Sequence, residues 1–176
     1  MQEHLRAGGD RGVRRGVVPA AKRRITLSMI PIWWLSRDGD ATCRQLYHRH
    51  YSHRKYSDGR QPKKFVGPGK NIVLRTAKGD AFFVWRQFKD DCIDERTGKP
   101  QAGINCSAFR NEGAHLSSEL IRQADAIADC WWPGERHYTY VNPKSVRSRN
   151  PGFCFLMAGW QRCGYTQSGL LILERS

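Results

Sequence analysis

His48, His50 and His53 stand in the pattern His-x-His-x-x-His, within a segment that also carries Arg49, Arg54 and Lys55. Three imidazoles at this spacing are a possible donor set for Fe, Zn or Ni. The same side chains, left in a basic segment, face solvent or phosphate; neutral they are bases near pH 7, and charged they contact phosphate. On a helix His50 and His53 share a face, whereas in an extended segment His48 and His50 do. A second group follows in Arg110-Asn111-Glu112-Gly113-Ala114-His115, which runs into Leu116-Ser117-Ser118. A helix start offers unpaired backbone N–H groups and the positive end of its dipole, and glycine lets an anion approach closely. The planar fork of Arg110 suits a phosphate, or an ordinary ion pair with Glu112 or Glu119. Ser117 and Ser118 either cap the helix or contact an acyl donor. Asn142 closes a strand, where its amide can orient a nucleophile but cannot take a proton at neutral pH.

These residues need elements to position them, and the chain alternates strand and helix signals. Met29–Leu35 reads as a first strand. Asp40 caps a helix running to about Tyr51, and 52–70 reads as loop. Asn71–Thr76 and Ala81–Gln87 flank Ala77-Lys78-Gly79-Asp80 as a hairpin. A polar excursion over 89–103 leads to a strand over 104–109. A helix over 116–129 follows, with Leu116, Leu120, Ile121, Ala124, Ile127 and Ala128 along one stripe. A strand over 137–142, a short helix over 151–158 and a closing strand over 169–174 complete the chain. Such an order predicts a mixed sheet flanked by helices, class α/β (α+β), in a single domain over 25–176. Residues 1–24 are rich in Gly, Ala and Arg without an apolar face and read as a flexible basic arm; Met29 is an alternative start. Trp131, Trp132 and Trp160 read as core or interface.

Thirty Lys and Arg against sixteen Asp and Glu give a net charge of +14. That balance points to a polyanionic partner, with double-stranded DNA first. Between Ala41 and Lys70 the bases Arg44, Arg49, Arg54, Lys55, Arg60, Lys63, Lys64 and Lys70 face Asp58 alone, with Tyr47, Tyr51, Tyr56 and Phe65 interleaved. Bases neutralise phosphates and aromatic faces stack on an exposed base. Lys144, Arg147 and Arg149 form a second basic cluster. No apolar run approaches a membrane span, and the six cysteines show no zinc or C-x-x-C spacing. The chain reads as cytoplasmic, in a host cell if phage-encoded. It has no G-x-S-x-G, Walker loop or H-E-x-x-H.

The element order resembles the acyl-CoA-dependent N-acetyltransferase (GNAT) superfamily, whose turn reads Q/R-x-x-G-x-G/A. Arg110 and Gly113 match it, while His115 stands at the second small position. Asn150 and Cys154–Trp160 are similar to that superfamily's late helix, with Phe155 in place of the tyrosine that protonates the leaving thiolate. The resemblance implies acetyl-CoA or another acyl donor bound by Arg110, Gly113, His115, Leu116, Ser117 and Ser118. Phe109–Glu112, His50-Tyr51, Tyr140–Pro143 and Arg147–Trp160 further resemble the Mom-type phage DNA-modification branch, in which a carbamoylmethyl group is placed on adenine N6 to evade restriction. That likeness implies an active site near His50, Tyr51, Arg110, a serine on the following helix, and Asn142. Ser148, in the loop beyond, completes the candidate catalytic set. It also raises iron as the metal for His48, His50 and His53. Two positions depart from it: Asn142 stands where an aspartate is expected, and Phe153 near an expected tyrosine.

The resulting expectation is a DNA-modifying transferase. Adenine N6 is a poor nucleophile, so such an enzyme must extract the base from the stack, position it and remove a proton. The alternatives are an N-acyltransferase acting on another amine, and a non-catalytic DNA-binding protein on the same scaffold.

Overall fold

The computed structural model describes residues 32–89, 93–94, 98–100 and 102–176. The basic arm expected over 1–24, the start of the first expected strand and Cys92 lie outside the described residues. Pro31–Ser176 form one compact unit.

Alternation along the two best-formed strands sets the layers. In β2 (Lys70–Thr76), Ile72 and Leu74 face one side of the sheet and Val73 the other; in β3 (Ala81–Gln87), Phe83 and Trp85 oppose Phe82 and Val84. The turn between them is stitched by Thr76, whose Oγ1 accepts from the Asp80 and Ala81 amides at 3.1 Å. Gly79 supplies the positive φ of 69° that this turn needs. The first face carries the larger core, closed by α2 (Ser117–Trp131) through Leu120, Ile121, Ala124 and Ala128 and by α3 (Phe153–Met157) through Phe155. The second is covered by α1 (Ala41–His48) through Cys43 and Leu46. Asp40 caps α1, its Oδ1 accepting from the Cys43 amide at 2.9 Å.

The main sheet has seven strands in the order β1-β2-β3-β6-β7-β9-β8, with β1 Trp33–Ser36, β6 Ile104–Asn111, β7 His137–Val141, β8 Gln161–Tyr165 and β9 Leu171–Arg175. Residues 93–94 (β4) and 99–100 (β5) form a small separate ribbon inside the expected polar excursion. The mixed α+β class with helices on both faces agrees with the sequence reading. Of the main-sheet pairings among the described residues, only β6–β7 is parallel. It holds for three register pairs, Ile104↔His137 to Cys106↔Thr139, after which the two strands part. No described helix is long and apolar enough to cross a membrane.

Three element boundaries differ from expectation in ways that matter. α1 ends at His48 rather than Tyr51, and the chain continues as turns in which the His50 amide bonds Tyr47 O and the His53 amide bonds His50 O. β6 extends to Asn111, so Arg110 is a strand residue rather than part of a turn. β8 has no counterpart among the expected strands: it is an outer strand, largely exposed and interrupted by Gly164, and carries no apolar alternation.

Candidate active site

Where β6 and β7 part, the sheet is open. The gap is a slot of about 450 Å³ lined by Cys106–Phe109 and Thr139–Asn142, with Val146, Cys154, Phe155 and Leu170 around it. It lies toward the carboxyl ends of the two parallel strands, the end from which the chain enters α2. In open sheets this is the usual place for a ligand. His50, Tyr51 and Ser52 enter the slot from the turn after α1.

The two rings bridge the gap. Their centroids lie 4.4 Å apart. His50 donates to the Phe109 carbonyl on β6, while the Tyr51 hydroxyl sits 3.5 Å from the Tyr140 carbonyl on β7. Burial, and next the Arg110 charge, push the His50 pKa down to about 4, against the opposing pull of the Phe109 carbonyl. The imidazole is therefore neutral at pH 7. The Ser52 amide donates to His50 Nδ1 at 3.2 Å, so that nitrogen carries the lone pair and the proton of the neutral ring sits on Nε2. Burial raises the Tyr51 phenol and also the Cys106 and Cys154 thiols, which stay protonated at neutral pH.

Arg110 holds this turn in place. Its Nη1 donates to the Arg49 carbonyl at 2.6 Å, and its Nε to Glu112 at 2.5 Å. Glu112 also takes Arg49 through two hydrogen bonds, at 2.8 and 2.7 Å. First Arg49 and then Arg110 hold the Glu112 carboxyl down to about 2. Arg110 thus clamps the end of β6 to the end of α1, and its fork does not face the α2 start. Gly113 is likewise engaged: its amide donates to Asn111 Oδ1 at 2.9 Å, and a side chain there would run into the Asp80 carboxylate. A carboxylate against the turn opposes a phosphate, so Arg110, Gly113 and His115 form a closed corner rather than an open anion cradle. Asn111 Nδ2 ties His115 O at 2.7 Å and Ser117 Oγ at 3.1 Å. No side chain caps α2, and Leu116 at its N-cap is exposed, so the backbone at Leu116, Ser117 and Ser118 remains the better place for an anionic group.

The remaining expectations divide. Asn142 lines the slot, but its Oδ1 accepts from the Lys144 amide in a turn. Ser148 lies outside the slot lining; its Oγ accepts from the Asn150 amide. Phe155 is a slot wall, packed edge-on against Phe109 and Trp160. The three histidines do not form one donor set. His48 and His53 lie against each other with centroids 4.5 Å apart, while His50 is committed to Ser52 and Phe109. Among the described residues no cluster of three or more His, Cys, Asp or Glu could hold a metal ion. An iron site on His48, His50 and His53 therefore does not fit this geometry.

Beside the slot, on the α1 face, lies a larger cleft of about 710 Å³. Arg54, Lys55, Arg60, Lys64 and Arg86 line it together with His48 and His53, and among the described residues no acid does. Its aromatic lining includes the Tyr47–Phe65 stack at 5.1 Å and Tyr56, against which Arg54 and Arg60 lie at 5.0 and 4.4 Å. Of the residues expected to bind DNA, Arg54, Lys55 and Lys64 line this cleft; Lys63 and Lys70 do not, and Lys144, Arg147 and Arg149 are exposed on the loop after β7. Slot and cleft share Ser52, Ser107 and Ala108. Ser52 does not stand out in the sequence; its only signal there is its place two residues after His50. In comparisons with protein-family models, with curated proteins and with solved structures, nothing matches this chain.

Proposed function

We infer that the chain is a GNAT-like transferase that moves an acyl-derived group onto an amino group of DNA, with adenine N6 the preferred acceptor. The observation that carries the reading is the meeting of two unlike cavities at the break in the sheet. The slot is mostly apolar and runs between two strands that part, which suits the thin amide-bearing arm of an acyl-CoA. The cleft is basic and aromatic, which suits a phosphate backbone and an unstacked base. The strand order, with its one parallel pair splayed, supports the superfamily resemblance. An acyl-CoA would supply an activated thioester carbonyl, with its arm along the slot and an anionic group near Leu116, Ser117 and Ser118. His50 and Tyr51 hold polar groups at the slot, Phe109 and Phe155 exclude water, and Arg110 fixes the turn that carries them.

Mass spectrometry of nucleosides from DNA of cells expressing the protein tests this reading. A deoxyadenosine of shifted mass supports it, and a shifted mass on another nucleoside moves the acceptor. Unmodified DNA, together with no melting shift from millimolar acetyl-CoA, supports a non-catalytic DNA-binding protein. That second reading is favoured by Phe155 and Asn142, neither of which can exchange a proton.

A further inference from the structure

We propose that Ser52 is a covalent acyl carrier, taking the group from the slot and handing it to an acceptor in the cleft. The proposal rests on the transferase reading of the two cavities. Ser52 is exposed and lines both of them. Its Oγ lies 2.7 Å from His50 Nδ1. Because the Ser52 amide also points at Nδ1, that nitrogen can only accept, and the serine hydroxyl donates to it. His50 is turned so that its Nδ1 lone pair faces Ser52, while the Phe109 backbone lies beside the ring. In the free protein the hydroxyl placed to give its proton to this imidazole is that of Ser52. A hydroxyl on a neutral imidazole is the arrangement of an activated serine nucleophile. The neighbouring candidates are weaker. Ser107 donates its hydroxyl to Asn105 Oδ1 at 2.9 Å, and burial keeps the Cys106 and Cys154 thiols protonated.

The steps balance. Ser52 Oγ bonds to the acyl carbon as its proton passes to His50 Nδ1; the carbon–sulfur bond of the donor breaks, and the thiolate leaves with that proton. An acceptor amine then attacks the serine ester from the cleft. Its proton goes to Nδ1, the carbon–Oγ bond breaks, and Ser52 recovers the proton.

The test treats the full chain with 4-nitrophenyl acetate, follows nitrophenolate release and maps the acetylated peptide. The tryptic fragment His50–Arg54 contains Ser52 as its one serine. Fragmentation is expected to place a single acetyl group on Ser52. Ser52→Ala should remove it and His50→Gln should slow it by ~100-fold or more, the scale of a lost general base. Both variants should melt within a few degrees of the wild type. Ser52→Cys should restore labelling, which separates loss of the nucleophile from a damaged fold. Acetylation confined to lysines, or His50→Gln labelled as fast as wild type, overturns the proposal. So does DNA modified normally in cells expressing Ser52→Ala, an outcome that leaves the transferase reading standing. Acetylated Ser52 in a protein that leaves DNA unmodified supports the carrier and removes DNA as the acceptor.

Discussion

His50 is neutral in the folded protein because its surroundings, and then Arg110, disfavour the imidazolium. In the unfolded chain the same ring titrates near ~6.5. Between that value and about 4 the unfolded state binds more protons than the folded one, so stability is full above pH ~6.5 and declines as pH falls through the window. Glu112 adds a later loss, as pH falls from the ordinary glutamate range to about 2. Its ion pairs are exposed and contribute less. The melting temperature should therefore drop between pH 7 and 4, and His50→Gln should flatten that drop. A variant that melts with an unchanged pH profile would show that His50 is not held neutral. Gly113 carries a second prediction. It lies outside the positive-φ region, so what demands glycine is the Asp80 carboxylate. Gly113→Val should cost about 1–3 kcal/mol of stability, and adding Asp80→Ala should recover part of it in urea titrations. No recovery in the double variant would place the strain elsewhere.

At the scale of elements, α2 is fastened to the second half of the sheet through one buried carboxylate. Asp125 accepts from Trp160 Nε1 at 3.0 Å and pairs with His137 Nδ1 at 2.9 Å. Asp129, half-exposed one turn on, lies 3.3 Å from His137 Nε2 and 3.4 Å from Arg175. Asp125→Ala strands two buried polar groups and should cost about 3–5 kcal/mol, read as a lower urea midpoint. Asp129→Ala should cost clearly less; equal losses would mean that burial does not decide the ranking. The apolar stripe of α2 is legible in sequence, and so is the β2–β3 hairpin, because periodicity and turn residues are local signals. Asp125 is not, since a carboxylate inside a stripe looks like a solvent residue until His137 and Trp160 arrive from distant strands. The slot is equally hidden: His50 and Tyr51 are legible as chemistry, but the stop of α1 at His48 is what aims them. Arg110 reads as an anion fork in sequence, and its commitment to Arg49 and Glu112 depends on β6 running two residues past the expected end.

Across the whole molecule, the excess of positive charge has a local focus in the cleft, where Arg54, Lys55 and Lys64 have no acid among the described residues of the lining. Replacing these three with Ala should weaken duplex binding at every sequence and flatten the log–log salt dependence by about 0.9 for each phosphate no longer neutralised. Lys63→Ala with Lys70→Ala, outside the lining, should move the slope less. Equal slopes for both sets would assign DNA to another face. The parting of β6 and β7 has one more consequence, for the timescale of the backbone. A central strand is ordinarily the last part of a sheet to exchange its amide hydrogens with solvent. Here β6 and β7 stay paired outward, to β3 and to β9, but share no register with each other beyond Cys106↔Thr139. Deuterium should enter early at those amides of β6 that point into the gap, deep in the sheet, while amides bonded to β3 and β9 stay protected. A ligand laid along the slot would close that window from within, so protection of these few amides reports occupancy before any chemistry is known.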